Sequence, residues 1–539
     1  MAQYIKQFTE VNFTTVSDAQ QQFSASNCVL LSHEQPLVQP DNADYILLQD
    51  VGTLLNYYSP TSRTYKMAYN ILTNPEGNIS MGNGNLAILY NSAIASATQP
   101  IARTQAITDT ILRTLLTITD GSLKFKLNGI TKEEFSVSGL NFSGFTTLAQ
   151  IVKYLDRKIP YLTFDVGVGV YAGEIIITGH SFGTSATIQF EESSIGTDLS
   201  GVTYLNIPLT VHTGSEESEA VSTLQTLLTK AINSFENNTD FKLFTTTVAL
   251  SQAQFMAFAT HCQTTEKVFL HSTFGTDVAL VNGSDGILPA ISSGGINQSF
   301  ITAFHTKELE SVFYGRSCEV GYRCQANYVA DSQPRVEING KSLNVNQDIV
   351  LFSKKSIAEQ PMRALIDDYI TQIIANGGSF YCATGGASAY KDAQYSLPNG
   401  SKFTMSQKLL EVTLESYFNY YNLTLLQDKA RTLLFDDTTF NTIETTYNVP
   451  CNILLNNNIL TTYDGTDIST SVSILPNGAS AELKALQLSK MQNRGYYVYA
   501  TPIASLSSAD KQSKTAKISI LLNSPAGLQK IILNGKINS

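Results

Sequence analysis

Few residues in this 539-residue chain have the types and spacing to do chemistry. Gly179-His180-Ser181-Phe182-Gly183 has the literal spacing of a nucleophile elbow. In a hydrolase that pentapeptide works because a tight strand-to-helix turn exposes the serine at a helix N-terminus. A β-like run, Glu174-Ile-Ile-Ile-Thr178, precedes it, but Thr184 to Phe190 behind it reads as another β-run with no helical pattern. A Gly-rich turn between two strands is therefore expected, with no catalytic role for Ser181. His261, Cys262 and His271 invite a metal reading. Neighbouring residues on a helix point about 100° apart, however, and no second close pair completes a tetrahedral set. Asp367-Asp368 and Asp436-Asp437 lack a paired site. Gly82-Asn-Gly84 and Gly167-Val-Gly169 lack the strand–GxGxxG–helix frame of a dinucleotide site, and no P-loop occurs. The reading is of a non-enzyme with no catalytic, cofactor-binding or metal-binding residues.

The elements that would position such groups form an α/β pattern with an interruption. Cys28-Val-Leu-Leu31 reads as the first buried strand. Tyr45 to Tyr58, with Leu47, Leu48, Val51, Leu54 and Leu55 at helical spacing, predicts a helix, as does Ser62 to Leu72. Asn85 to Tyr90 is a short strand. A β-rich stretch then begins: Leu123 to Leu127, a turn at Asn128-Gly129, a return at Phe135 to Val137, and a helix to Lys158 capped at Thr146-Thr147. Strands at Leu162–Val166, Glu174–Thr178 and Ala186–Phe190 complete it. Helix and strand alternate again from Val221: a helix to Phe235, a strand at Phe241–Val248, a helix capped by Ser251 through Cys262, and strands at Lys267–His271, Val278–Val281 and Ile301–His305. Such alternation predicts a mostly parallel sheet. Glu308 to Tyr322 reads as partly helical. Further on, helices are expected at Gln360–Asn376 (ended by Gly377-Gly378), Ser406–Tyr421, Thr438–Asn448 and Ala479–Asn493, and strands at Ser379–Ala383, Gly495–Ala500, Lys517–Leu522 and Leu528–Leu533. The fold class is therefore α/β and α+β multidomain. Its parts are an N-terminal arm (1–27), an α/β body in two parts (28–118 and 213–330), an inserted β-rich domain (119–212), a C-terminal α/β domain (331–515) and a C-terminal arm (516–539).

Only 15% of the residues are charged, below the usual quarter. With 26 Tyr and no Trp, the low-charge surface suits either burial against copies of the same chain or an ordinary neutral-surfaced globular protein, and composition alone does not choose between them. A net charge of −10 argues against a nucleic-acid partner. The charge is uneven: Lys511, Lys514, Lys517, Lys530 and Lys536 face a single acid, Asp510, in the last stretch, while Glu216, Glu217 and Glu219 lie far upstream. Lys511, Lys514 and Lys517 are candidates for electrostatic docking on a neighbouring subunit. The six scattered cysteines contain no CxxC and fit reduced thiols rather than disulfides or zinc ligands. No apolar run reaches the ~18 residues of a membrane span, and the start of the chain lacks a signal-peptide core, so neither membrane insertion nor export is expected.

The order of several short motifs resembles the tail sheath proteins of contractile-tailed bacteriophages, in the branch with an inserted β-rich domain. The motifs are Asp50-Val-Gly-Thr-Leu54 with Tyr65-Lys-Met-Ala68, then Phe145-Thr-Thr-Leu-Ala-Gln-Ile-Val152, Gly173-Glu-Ile-Ile-Ile-Thr178, Gly183-Thr-Ser-Ala186 and Gly196-Thr-Asp-Leu199. Ala231-Ile-Asn-Ser-Phe235 with Asp240-Phe-Lys-Leu243, and Asn493-Arg-Gly-Tyr-Tyr-Val-Tyr499 with Pro502, continue the series. Two departures stand out: Phe241 occupies a place where relatives often carry Trp, and the stretch from Lys511 to Lys517 has lysines where arginines are common.

The resemblance implies a structural subunit that stacks as hexameric rings around a tail tube and contracts to drive the tube through the host envelope. It implies no cofactor. The implied partners are copies of the chain itself, the tail tube protein, and the baseplate and tail terminator or neck proteins. The implied location is the virion tail, assembled in the host cytoplasm. The resemblance also implies strand exchange between subunits through the terminal arms. Tyr4, Ile5, Phe8, Val11 and Phe13 at one end, and Leu528, Lys530, Ile531, Ile532 and Leu533 at the other, have the β-former character that an added strand needs. The alternatives are another virion structural protein, such as a tail tube or decoration protein, and the sheath of a non-phage contractile injection particle.

Overall fold

The structure, a computed structural model, describes residues 27–38, 45–48, 50–73, 86–91, 97–127, 134–206, 209–215, 220–234, 241–265, 267–274, 287–304, 309–324, 373–384, 387–391, 395–396, 402–427, 433–470 and 472–523.

The body starts with strand β1 (Asn27–Ser32), every residue of which is buried. Strand β2 (Ile46–Leu48), helix α1 (Arg63–Thr73) and strand β3 (Leu86–Tyr90) follow. A run of consecutive apolar residues buried on both faces is what the middle of a parallel sheet requires, and β1 lies there, parallel to β3 on one side.

The chain then leaves the sheet and builds the β-rich module. Its elements are β4 (Ile101–Arg103), α2 (Asp109–Leu116), β5 (Gly121–Leu127), β6 (Glu134–Leu140), α3 (Leu148–Lys158), β7 (Leu162–Val166), β8 (Ile175–Gly179), β9 (Thr187–Glu191), β10 (Thr197–Asp198), α4 (Leu199–Val202) and β11 (Val211–Thr213). Two small sheets result. One has the order β10-β5-β9-β11, with β6 on the other edge of β5; the second has the order β4-β8-β7. Helix α3 starts where the capping signal places it: Thr147 accepts from the Gln150 amide and Gln150 closes the reciprocal bond, a capping box. Its buried face, Ile151, Val152 and Leu155, meets Phe142, Phe164 and Ile177 in the module's interior. Lys124 and Lys126 on β5 bridge Glu191 on β9. The module's strands begin ahead of residue 119, because β4 pairs with β8.

Back in the body, α5 (Ala220–Ser234), β12 (Phe241–Thr246), α6 (Gln252–Thr264), β13 (Val268–Phe274), α7 (Ile287–Ser293), β14 (Ser299–Phe304) and α8 (Leu309–Arg323) follow in turn. Strands β15 (Ser379–Thr384) and β16 (Ala387–Lys391) come next. The main sheet has the order β16-β15-β14-β13-β12-β1-β3-β2. Neighbours from β15 to β3 run parallel, while β16 and β2 close the two edges antiparallel. The sheet thus draws strands from both sides of residue 331. The chain moves from β1 to β3 on one side and returns to β12 on the other, which makes the gap between β1 and β12 the switch point of a doubly wound sheet.

The last part holds the short pair β17 (Tyr395–Ser396) and β18 (Lys402–Phe403), then α9 (Met405–Gln427), α10 (Asp437–Thr446), α11 (Asn448–Asn456), α12 (Ala481–Arg494), β19 (Tyr496–Ala500), α13 (Ser508–Gln512) and β20 (Ile518–Leu522). Strands β19 and β20 pair antiparallel in a two-stranded sheet.

The mixed α/β architecture is the expected one, and one local expectation needs correction. Tyr45 to Tyr58 is not a helix: it contains β2 and a short 3-10 turn at Leu54–Asn56. Ile46 and Leu48 are buried while Leu47 faces out, a period of two that the dense run of leucines masked. Gly52 and the bend around it then separate the two pieces. The helix expected at Thr438–Asn448 is α10, Asp437–Thr446, and a second helix, α11, follows directly after Tyr447. Gly377 does end a helical turn at 373–375, with φ +80°. The Asn128-Gly129 turn, the 278–281 strand and the rest of the 360–376 helix lie outside the described residues.

Gly495 joins α12 to β19 with φ +68°, and a Cβ there would lie 2.1 Å from the Thr461 carbonyl oxygen. Gly495→Ala is expected to destabilise the β19–β20 unit by about 2 kcal/mol. Hydrogen exchange at Tyr496–Ala500 reads this directly, and unchanged protection would refute it.

Candidate functional site

In open parallel sheets, ligands sit beyond the carboxyl ends of the strands at the switch point, often against a helix N-terminus. Here that place lies beyond Ser32 at the end of β1 and Thr246 at the end of β12. Glu34 occupies it. The Arg63 and Thr64 amides at the start of α1 donate to its carboxylate at 3.2 and 2.7 Å. A helix start that would bind a phosphate is thus bound by the chain's own anion. Around it, the His33 amide donates to the Thr247 hydroxyl at 3.1 Å, and His33 Nδ1 lies 2.6 Å from the same oxygen. Arg63 Nη1 donates to the Thr247 carbonyl at 2.9 Å. Arg63 Nε donates to both Glu310 oxygens at 2.9 and 3.2 Å, and the Arg63 guanidinium lies over the Phe313 ring at 4.2 Å.

One layer deeper, Arg316 of α8 is fully buried. Its Nη1 meets His271 Nδ1 on β13 at 2.6 Å, and its Nη2 donates to the Thr246 carbonyl. Burial pulls the Arg316 guanidinium down to about 9, which still leaves it cationic at neutral pH. Burial, aided by the Arg316 charge, holds His271 well below the usual imidazole range, so His271 is the neutral acceptor of this pair. Burial and then the Arg63 charge lower His33 as well. For Glu34, burial pushes the carboxyl up, but hydrogen bonds from the Thr64 hydroxyl and amide and from the Arg63 amide outweigh it and keep it below the usual value. These bonds use the polar groups of the crevice to hold α1 and α8 on the sheet. The arrangement can fix geometry.

The Gly-x-Ser-x-Gly stretch also does structural work. It runs from the end of β8 towards β9, so a strand follows it, as the sequence predicts. His180 is buried, stacks on Phe274 of β13 with ring centroids 4.7 Å apart, and lies 3.2 Å from the Thr163 hydroxyl. Phe182 packs on the same Phe274 ring. The Gly183 amide donates to the Thr98 carbonyl at 3.1 Å. Thr98 and Ser215, where the chain enters and leaves the module, are tied by amide-to-carbonyl and amide-to-hydroxyl bonds of 2.9 and 2.8 Å and by a hydroxyl contact of 2.6 Å. Gly214 fits between them: a Cβ there would lie 2.3 Å from the Thr98 oxygen and 2.6 Å from the Gly183 oxygen. The pentapeptide is therefore the joint between module and body.

The other sequence-derived residues are scattered. Tyr4, Ile5, Phe8, Val11 and Phe13, and Leu528, Lys530, Ile531, Ile532 and Leu533, lie outside the described residues. Lys517 pairs with Asp510 at 2.6 Å, and Lys511 Nζ donates to the Ala504 carbonyl at 3.1 Å. Lys514 adopts φ +50° in the turn between α13 and β20. Among the described residues, no group of three or more His, Cys, Asp or Glu is placed to hold a metal ion, and no helix is long and apolar enough to cross a membrane. Sequence reasoning missed Glu34, Arg63, Arg316 and the Thr98–Ser215 tie. The available signal for Glu34 was its place two residues after the first buried strand.

No family model and no curated protein matches the chain. Among solved structures, it is similar to the sheath tail protein of Desulfitobacterium hafniense, at 10% identity over 97% of this chain and 99% of that one, with a TM-score of 0.41. It is also similar to a chain in the baseplate of the anti-feeding prophage, at 9% identity over 63% of this chain and 76% of that one, with a TM-score of 0.33.

The crevice makes stability pH-dependent. His33 and His271 stay neutral in the fold below the usual 6.5, and burial shifts His212 and His261 the same way. Unfolding therefore takes up protons on acidification: stability is full above pH 6.5 and falls as the pH drops below it. Glu34 adds a loss below its usual 4.5, as the pH falls through its depressed folded value. The melting temperature is expected to fall between pH 7 and 5, and His271→Asn should flatten that slope; a constant melting temperature across the window would refute the account. At the neck, Gly214→Ala is expected to speed hydrogen exchange at Thr98 and Gly183 about tenfold while β1 and β12 stay protected, the separation expected of locally distinct opening units. Equal exchange in variant and wild type would remove the neck from the design.

Proposed function

We propose that the chain is a structural, non-enzymatic subunit of a contractile tail sheath, polymerising as stacked hexameric rings around a tail tube and contracting to drive that tube through a host envelope. The observation that carries the reading is the neck at Thr98 and Ser215, which joins a β-rich module to a doubly wound body. That architecture stands where the ordered motifs of the sequence resemble the inserted-domain branch of sheath proteins. Two features support it further. The switch-point crevice is closed by Glu34, so the usual ligand place of such a sheet is filled from within. The β19–β20 pair is a two-stranded sheet among the described residues, and two strands alone are marginal in water. A neighbour's Leu528–Leu533 would complete it by strand addition, linking subunits through main-chain hydrogen bonds.

On this reading the partners are further copies of the chain, the tail tube protein, and the baseplate and terminator proteins at the two ends. The site of action is the tail of a virion or of a non-phage contractile particle. Contraction is a switch between two packings of the same subunits. Purified full-length protein at high concentration is expected to form hollow tubes with sixfold rings in negative-stain electron microscopy. Deleting residues 528–539 should leave folded monomers that form none. Normal-length tubes from the truncation would overturn strand addition as the link, and a full-length chain that stays monomeric with and without tube protein would overturn the sheath reading.

A further inference from the structure

Residues 461–480, between α11 and α12, contain no helix and no strand among the described residues. A connection of that length without structure of its own is uncommon in a compact domain and tends to have a task. This one lies across one face of the β19–β20 pair. Successive residues of a strand point to opposite faces, and the two faces here pack differently. Tyr496, Val498 and Ala500 belong to the main core. Tyr497, Tyr499 and Leu521, with Met491 of α12, form a small core of their own. Its cover is Tyr463, Ile468, Val472, Ile474 and Leu475 of the connection, with Leu483 of α12, and each of these is only half-buried.

Polar bonds fasten the connection to α12. The Tyr463 amide donates to the Met491 carbonyl at 3.0 Å, Gln492 Nε2 to the Gly465 carbonyl at 3.0 Å, and the Ser473 hydroxyl to Gln487 Oε1 at 2.9 Å. At the root, the Thr461 amide donates to the Asn523 carbonyl at 2.9 Å, and Asn523 Nδ2 donates back to the Thr461 and Thr462 carbonyls. Tyr463 shapes the first half. Its hydroxyl donates to the Asp467 carbonyl at 2.8 Å, and a Cβ on Gly465 would lie 2.4 Å from the hydroxyl end of its ring. Gln487 is 1% exposed, and its Nε2 has no hydrogen-bond partner among the described residues. An unpaired buried donor raises the free energy of the closed form, and lifting the connection returns that group to water. The cover thus combines half-buried apolar contacts with a built-in penalty, the marks of a unit that opens before its surroundings. We infer that the stretch holding Tyr463, Ile468, Val472 and Leu475 is a strap that opens as one unit while β19 and β20 stay paired, baring Tyr497, Tyr499 and Leu521. The inference concerns the subunit alone and does not depend on assembly.

The test uses the full-length protein, nitrated with tetranitromethane and read by mass spectrometry at three neighbouring tyrosines. Tyr497 and Tyr499 lie under the strap, while Tyr496 faces the main core and reports opening of the sheet itself. Gly465→Ala, which displaces the Tyr463 ring, is expected to raise nitration at Tyr497 and Tyr499 about tenfold and to leave Tyr496 unchanged, the selectivity of local opening. Hydrogen exchange should quicken by the same factor at the Tyr463, Val472 and Ser473 amides while β19 keeps its protection. S473A/Q487L removes the bonded pair together with the unpaired donor, so it should act in reverse and slow nitration at Tyr497 and Tyr499 and exchange at Tyr463 and Val472. That variant also carries the test should Gly465→Ala fail to fold. Nitration of Tyr496 in step with Tyr497 and Tyr499 in Gly465→Ala would overturn an opening separate from the sheet. Quicker exchange at Tyr463 with none at Ser473 would overturn the single unit. A strap that opens as readily in S473A/Q487L as in the wild type would overturn the claim that it is poised.

Discussion

The body depends on one carboxylate placed at one helix start. A parallel sheet with a switch point leaves a crevice where strand ends, helix amides and exposed carbonyls converge, and that crevice must be filled by a ligand, by water or by the chain. Glu34 fills it. Once that carboxylate binds the first turn of α1, Arg63 is carried to the Thr247 carbonyl and to Glu310. Helix α8 is thereby held on the sheet, and its Arg316 reaches Thr246 and His271. Ionic groups that are partly exposed, as Arg63 and Glu310 are, add little net stability, and a buried charge such as Arg316 gains little once desolvation is counted. What they supply here is register. Residues before the inserted module are tied to residues after it, and the two halves of the sheet meet in one arrangement despite more than a hundred residues between them.

The second constraint is the neck. An inserted unit must enter and leave through a narrow waist, and the two segments that cross it are held together by pairing their polar groups, here at the exposed Thr98 and Ser215. The Thr98–Ser215 bonds supply that pairing, and the Gly183 amide adds a third member. Glycine is required at 214 because two carbonyls approach to within 2.3 and 2.6 Å of where a side chain would start. The aromatic contact of His180 and Phe182 with Phe274 then sets the module against the body. A motif that exposes a serine in one context, strand–turn–helix, makes a compact turn in another, strand–turn–strand.

Much of the fold was legible because strong periodic signals coincided with clear caps. Helix α3 with Thr147, helix α6 with Ser251 and strand β7 have edges within two residues of those read from the sequence. The stretch from Tyr45 to Tyr58 was not legible, because a leucine-dense run satisfies a period of two and a period of 3.6 at once. Sheet order was legible only as a class: alternation predicts parallel strands, but nothing local says that β12 returns beside β1. The crevice was hidden for that reason. Glu34, Arg63, Thr247 and Glu310 lie up to 247 residues apart in pairs, and no spacing rule joins residues that only topology brings together. The neck was hidden likewise, since Thr98 and Ser215 are ordinary polar residues in loop-like segments.

A subunit of a lattice that changes packing needs two kinds of contact. One must survive the change, and one must be able to break. Main-chain strand addition suits the first role: its hydrogen bonds are independent of side-chain identity, and a strand tethered by a loop can rotate with its neighbour while staying paired. Small apolar contacts suit the second. They lack direction, they carry no buried charge that would be stranded on separation, and their surfaces return to water at a modest cost spread over a few side chains. The proposed sheath subunit has the means for both. A rigid body locked by its own ions leaves deformation to the places between subunits. A chain in which only 15% of all residues are charged offers few fixed ion pairs to resist sliding. On the proposed reading, low charge, which looks like a deficit in a free-standing protein, would let two packings of one chain lie close in free energy.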